Sequence, residues 1–290
     1  MDMKHTVTLN LSPGFKPVGH YEPWPFETFI FPGGESHIKL GRPHHFWSLE
    51  RVIITHRIKT SDDLMLILLA KEAFEQAGVR KFELVIPYVP YARQDRQCAK
   101  GESFSLKVFT DIINSQNFEK VTVLDAHSDV APALLNNSLN ISNKEYVRKA
   151  VDHIMGLQNG VKPILISPDA GSNKKCNALL NSDFDSLVKC DKVRDLDTGK
   201  LSGFQVFADD LEGKPCLIVD DICDGGGTFI GLAKELKNKN AGDLYLFVTH
   251  GIFSKGFMGF VDFTHIYSTN SFKDVEGLTF YRQFPITIKH

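Results

Sequence analysis

The sequence predicts an α/β protein built on mostly parallel sheets flanked by helices, in two domains. Three observations predict it. Short β-branched runs alternate with helical stretches, and the alternation occurs twice along the chain, as expected where strands are joined by helical crossovers. A polar break, Asn136–Lys144 (NNSLNISNK), separates the two rounds and predicts domains 1–142 and 143–290. Several strands end in acids, and in open α/β sheets ligands bind beyond the carboxyl ends of strands.

The elements follow in order. Arg51–Ile58 (RVIITHRI) is β-branched and predicts a strand. Ser61 is a candidate N-cap for a helix through LMLILLAKEAFEQA, and Gly78 suits its end, because glycine adopts the left-handed C′ conformation without penalty. Phe82–Pro87 reads as a buried strand, Ser103–Ser115 as a helix and Val121–Asp125 as a strand. After the break come a helix, Tyr146–Met155, a strand, Ile164–Ser167, and a short helix beyond Gly171. Leu187–Cys190, Phe204–Phe207 and Cys216–Asp220 predict strands, Thr228–Lys237 a helix and Tyr245–Thr249 a strand. The 290 residues fit about two domains at roughly 150 residues each.

Composition excludes several classes. Lys and Arg number 33 and Asp and Glu 35, a formal net charge of −2. That balance argues against a nucleic-acid-coating protein, which would be basic. The longest apolar stretch, Leu64–Ala70, is far short of the about 18 residues of a membrane span. Met1–His5 has no apolar core of a secretory signal. The five cysteines form no Cys-x-x-Cys pair, so free thiols in a reducing cytoplasm are expected and structural zinc is not.

Four segments carry chemistry. In Leu217–Thr228 an apolar strand ends in Asp220 and Asp221, and Asp224-Gly225-Gly226-Gly227-Thr228 leads into a helix. Glycines let backbone amides crowd round a phosphate at a helix N-terminus. Thr228 adds a hydroxyl, and the acids can accept hydrogen bonds from a sugar diol. The segment is neither a P-loop nor a dinucleotide fingerprint; the bland alternative is a flexible turn with a solvated acidic rim. Ile166–Ser172 and Val123–Asp129 repeat the acid at a strand end, and Asp169 and His127 are candidate Mg²⁺ contacts near a polyphosphate. A surface histidine is the plainer reading of His127 by itself. Tyr88–Arg96 sets two tyrosines, Arg93, Arg96 and Gln94 after a buried strand. Arginines suit phosphate, and aromatic faces or amides suit a purine; a charged loop is the alternative.

Together, and in this order, the segments resemble the ribose-phosphate pyrophosphokinases, from about Phe31 to Ser254. Pro87–Arg96 is similar to the family's ATP-loop signature, and Ser167–Gly171 and Thr249–Ser254 are close to family wording. The Asp220–Thr228 loop is similar to the family's loop for phosphoribosyl pyrophosphate. The resemblance implies two tandem phosphoribosyltransferase-like (type I) domains. It implies transfer of the β,γ-diphosphate of Mg-ATP to the anomeric hydroxyl of a ribose 5-phosphoryl acceptor, with release of AMP. Arg93, Gln94 and Arg96 would bind ATP, with Phe31 and Glu35 lent to the adenine by a neighbouring subunit of a dimer or hexamer. His127 and Asp169 match Mg²⁺-linked positions, and Asp220, Asp221, Asp224, Gly225, Gly226, Gly227 and Thr228 match the ribose-phosphate site. Lys192 and Arg194, in the polar stretch Lys189–Gly203, align with the charged ends of the family's catalytic loop, and loops of this kind close over substrates. No nucleic acid or membrane partner is implied.

The sequence also departs from the family pattern. Gly225 stands where a threonine is usual, so one hydroxyl that would grip the 5-phosphate is missing. Gly33 replaces the acid of the adenine hairpin. Ser128–Ala133 replaces a glutamine- and phenylalanine-rich run after His127. Val193 interrupts the basic run, and no final helix follows Ile286. The change at Gly225 suits a 5-phosphate that continues into a larger group, so two acceptors stay open, ribose 5-phosphate and ADP-ribose. The latter would give ADP-ribose pyrophosphate for rebuilding NAD⁺. Two other classes remain: a phosphoribosyltransferase, which has no use for Tyr91–Arg96, and a catalytically silent regulatory homologue, which would be expected to lose active-site charges.

Overall fold

The computed structural model of the chain describes residues 5–194 and 201–288. It comprises two units, Met1–Ser142 with Pro285–His290, and Asn143–Phe284.

The first unit carries strands β1 (His5–Asn10), β2 (Glu22–Pro23), β3 (Phe26–Ile30), β4 (Ser36–Leu40), β5 (Leu49–Thr55), β6 (Lys81–Val85), β7 (Lys120–Leu124) and β8 (Ser138–Ile141). Its helices are α1 (Ser61–Gln76), α2 (Ser105–Ser115) and α3 (Val130–Leu134). Six strands form a parallel sheet in the order β2-β1-β5-β6-β7-β8, while β3 and β4 pair apart as an antiparallel hairpin. Val7, Leu9, Val52, Ile54 and Leu84 of the sheet and Ile67 and Phe74 of α1 are fully buried together; each such side chain gains roughly 1.5–3 kcal/mol from leaving water. The N-cap of α1 is Thr60, not Ser61. Its hydroxyl accepts the Asp63 N–H at 3.2 Å while the Asp63 carboxylate accepts the Thr60 N–H at 2.8 Å, a reciprocal capping box that Ser61 cannot form. Gly78 ends the helix at φ +96.

The second unit carries α4 (Lys144–Leu157), β9 (Ile164–Ser167), α5 (Asn173–Leu179), β10 (Leu187–Arg194), β11 (Leu201–Val206), β12 (Cys216–Cys223), α6 (Gly227–Asn238), β13 (Leu244–Gly251), β14 (Phe263–Thr269) and β15 (Tyr281–Phe284). The strand order is β11-β10-β9-β12-β13-β14-β15, parallel throughout except for β10 against β11. Every residue of β13 is buried, as expected of a central parallel strand covered on both faces.

The structure corrects four expectations. The polar break is not all loop, because Ser138–Ile141 pairs with β7. Lys192 and Arg194 lie in a strand rather than a loop, since β10 continues past Cys190 by pairing with β11. The Cys216 strand runs on to Cys223 through pairing with β13, so Asp220 and Asp221 sit inside it. Pro285–His290 belongs with the first unit, where the Ile288 N–H donates to the Pro17 carbonyl at 2.7 Å. Among the described residues no helix is long and apolar enough to cross a membrane. All five cysteines are free.

Candidate active site

The chemistry of the second unit gathers where β9 and β12 end. Beyond β9 the chain turns at once. The Asp169 carboxylate accepts the Ser172 N–H at 3.1 Å, and the Ser172 hydroxyl donates to the Asp169 carbonyl at 2.8 Å. This turn presents the other carboxylate oxygen to the Lys192 ammonium at 2.6 Å. Burial pushes the Asp169 carboxyl up, but the hydrogen bond and charge of Lys192 and the Ser172 amide outweigh it, leaving the group below the usual carboxylate range. The antiparallel pairing of β10 with β11 fixes Lys192 opposite Phe204, so a strand and not a loop delivers the cation.

Asp220 and Asp221 follow on the neighbouring strand. Asp221 is buried and its carboxylate lies 3.4 Å from the Lys175 ammonium on α5. Asp220 carries the opposite electrostatics. Burial, then the charges of Asp221 and Asp169, push its carboxyl well above the ordinary range. Three carboxylates, two on β12 and one in the turn after the neighbouring β9, thus lie near one another, balanced in part by two lysines. Like charges so placed favour a bound cation or a protonated acid. No group of three or more His, Cys, Asp and Glu side chains among the described residues is set to hold a metal by itself. Mg²⁺, however, usually keeps several waters and takes only one or two carboxylates along with substrate phosphates. The donors present fit an ion shared with a nucleotide.

The glycine loop completes this end. Gly226 is the N-cap of α6 at φ +78, with no side-chain cap, so the first amides of the helix stay open to an anion. A Cβ there would lie 2.4 Å from Cζ of Phe260, and the position therefore requires glycine. Gly227, by contrast, faces open space. The loop is tied down by the segment after β13. The Cys223 carbonyl accepts the Ile252 and Phe253 amides at 2.9 and 3.1 Å, and the Asp224 carbonyl accepts the Ser254 amide at 3.1 Å. Within that segment His250 is buried, with Nδ1 2.8 Å from the Ser271 hydroxyl, a structural role.

The first unit presents its candidates differently. After β6, Ile86 and Val89 are buried, and Tyr91 then turns the chain at φ +61. The Gln94 amide closes the turn on the Tyr91 carbonyl at 2.8 Å. Buried Ala92 anchors it, and Arg93, Gln94 and Arg96 project into solvent. His127 follows β7 and is exposed. In the β3–β4 hairpin the Phe31 amide donates to the Glu35 carbonyl at 2.9 Å. Phe29, Phe31 and His37 form an exposed aromatic cluster with centroids 5.0 to 5.7 Å apart. A Cβ at Gly33 would meet the Glu35 carboxylate at 2.6 Å, so an acid at that position would displace Glu35.

The comparisons bear on this arrangement. The sequence profile of the N-terminal domain of ribose phosphate pyrophosphokinase matches residues 31–116. The ribose-phosphate pyrophosphokinase of Aquifex aeolicus is 31% identical over 232 residues, 77% of this chain and 70% of that protein. The chain belongs to the ribose-phosphate pyrophosphokinase family. The enzyme of the same name from Bradyrhizobium diazoefficiens is 30% identical over 205 residues, 71% of this chain and 63% of its own length. The chain therefore spans a little under two thirds of that relative. The solved structure of phosphoribosylpyrophosphate synthetase from Mycobacterium smegmatis superposes with a TM-score of 0.80 over 98% of this chain and 95% of that one, at 18% identity. That likeness establishes the fold, two phosphoribosyltransferase-like domains.

Within this family frame the structure brings Lys192, Asp169, Asp220 and Asp221 together in the second unit, with Asp224–Thr228 following directly. Phe31, Glu35, Arg93, Gln94, Arg96 and His127 belong to the first unit. The side chain of Arg194 lies outside the described residues, as do residues 195–200 of the expected catalytic loop. Sequence reasoning missed Lys175 and Ser172, whose only signal was their closeness in sequence to Asp169. It also passed over Lys255, directly after the Thr249–Ser254 motif.

Proposed function

We propose that the protein transfers the β,γ-diphosphate of Mg-ATP to the anomeric hydroxyl of ribose 5-phosphate. One observation carries the reading: the acids Asp220 and Asp221, in the second half of β12, are followed within a few residues by the uncapped N-terminus of α6. One loop thereby offers carboxylates to a sugar diol and open amides to its phosphate. Asp220 and Asp221 accept from the ribose hydroxyls, and Asp224–Thr228 cradles the 5-phosphoryl group. Arg93, Gln94 and Arg96 hold ATP, with Phe31 and Glu35 supplied by a second copy in a homo-oligomer. The exposed aromatic cluster of the β3–β4 hairpin supports that role.

The anomeric oxygen attacks the β-phosphorus, the bond to the α–β bridging oxygen breaks, AMP leaves and the hydroxyl proton passes to solvent. Such a transfer needs in-line placement and neutralised charge far more than covalent help. Lys192 supplies fixed positive charge beside the moving group, and Arg194 is the second candidate for that role. Asp169 of the second unit would help to hold the Mg²⁺ that accompanies ATP, and the ion would supply charge neutralisation on the phosphate oxygens; His127, in the first unit, is the other Mg²⁺-linked candidate. A cytoplasmic location accords with the free cysteines.

ADP-ribose is the second reading for the acceptor. Gly225 favours it, because the loop lacks there a side-chain hydroxyl to grip a terminal 5-phosphate. The test is AMP release from Mg-ATP with each acceptor. Ribose 5-phosphate should drive it; faster release with ADP-ribose transfers the proposal to that acceptor, and none with either refutes it.

A further inference from the structure

Lys255 follows the segment that ties down the glycine loop, one residue after the Ser254 amide that donates to the Asp224 carbonyl at 3.1 Å. That bond fixes the backbone beside the loop at the residue before Lys255. A Cβ built on Gly225 would sit 3.5 Å from both Cδ and Cε of Lys255 and 3.8 Å from Cγ. These are ordinary contacts, so the stem of Lys255 lies alongside Gly225, one methyl group away from it. The ammonium lies one bond beyond Cε. Lys255 is exposed, and its ammonium has no hydrogen bond or ion pair among the described residues. The neighbouring cations are engaged, Lys192 with Asp169 and Lys175 with Asp221.

We propose that Lys255 grips the phosphoryl group bound by the Asp224–Thr228 loop, its ammonium over Gly225 selecting a phosphorylated sugar by charge. Between Asp224 and Thr228 the only side-chain hydroxyl is that of Thr228, so most other donors are backbone amides. A lysine adds a full charge with three rotatable donors and no fixed fork. It therefore holds a terminal phosphate and an inner phosphate of a phosphoanhydride alike. The proposal rests on the pyrophosphokinase reading for the identity of the sugar.

Calorimetric titration of the full chain with ribose 5-phosphate tests it, alongside AMP release with Mg-ATP. Lys255→Met should weaken binding at least about tenfold, or about 1.4 kcal/mol, while the KM for ATP stays within about twofold. Lys255→Arg, which restores the charge, should bind within about threefold of the parent. Unchanged binding in Lys255→Met, or an equal loss in Lys255→Arg, overturns the role of the charge. A parent protein that binds ribose 5-phosphate without releasing AMP refutes the pyrophosphokinase reading and leaves the Lys255 comparison decisive. No binding by the parent overturns both.

Discussion

The two candidate sites differ in where their charged groups stand. In the second unit the charged groups are compensated before any ligand arrives: Lys192 lies 2.6 Å from Asp169 and Lys175 3.4 Å from Asp221. Asp220 is held in an environment that disfavours its charge. In the first unit, Arg93, Gln94 and Arg96 stand exposed on a turn set by Tyr91 at φ +61. On the proposed function, the acids built into the strand meet the sugar diol and the exposed arginines meet the nucleotide. On that same proposal, a net charge of −2 conceals a site for phosphates, since acids of one unit offset cations of both.

The comparison predicts a hierarchy of effects. Lys192→Ala should reduce the turnover of AMP release by about 100-fold or more, as loss of one preorganised charge does elsewhere. Its melting temperature should move only a few degrees, because a pair still partly exposed to solvent contributes about 1 kcal/mol. Gly226→Ala comes next. Its methyl would meet Phe260 at 2.4 Å on a left-handed residue, so denaturant unfolding should show a loss of about 1–3 kcal/mol. Gly227→Ala, facing open space, should be close to neutral. In the first unit Arg96→Ala should raise the KM for ATP about tenfold and leave both the KM for ribose 5-phosphate and the melting temperature unchanged. A fall in stability there would erase the contrast between the two sites.

The smallest effect concerns Asp220. Its carboxyl is raised on folding, so between its unfolded and folded pKa the native state binds more protons and stability falls as pH rises. Asp220→Asn removes that penalty. It should melt higher than the parent at pH 7, with the gain vanishing as pH drops below the ordinary Asp value of 3.8. Melting curves from pH 3.5 to 7.5 measure it. A lower melting temperature at pH 7 would show Asp220 to be stabilised by its surroundings.

Much of this was legible in the sequence, for a physical reason. β-branched runs such as Leu217–Val219 and acids at strand ends are local signals, and Gly78 and Gly226 both occupy the left-handed conformations that glycine suits. What stayed hidden depends on distant partners. Lys192 reads as loop because its strand exists only through β11. Ser138–Ile141 reads as a polar break because its pairing with β7 supplies what its composition lacks. Thr60 outranks Ser61 as a cap only once Asp63 folds back on it. The Lys175–Asp221 pair joins residues 46 apart in sequence, which no local pattern reports.

The central claim is that two phosphoryl groups move together. Phosphorus NMR of the purified chain with Mg-ATP and ribose 5-phosphate tests it most directly. The account predicts AMP and a sugar bearing a diphosphate on its anomeric carbon, formed in equal amounts. Formation of ADP with ribose 1,5-bisphosphate, or no reaction by a protein that binds both substrates, would contradict it.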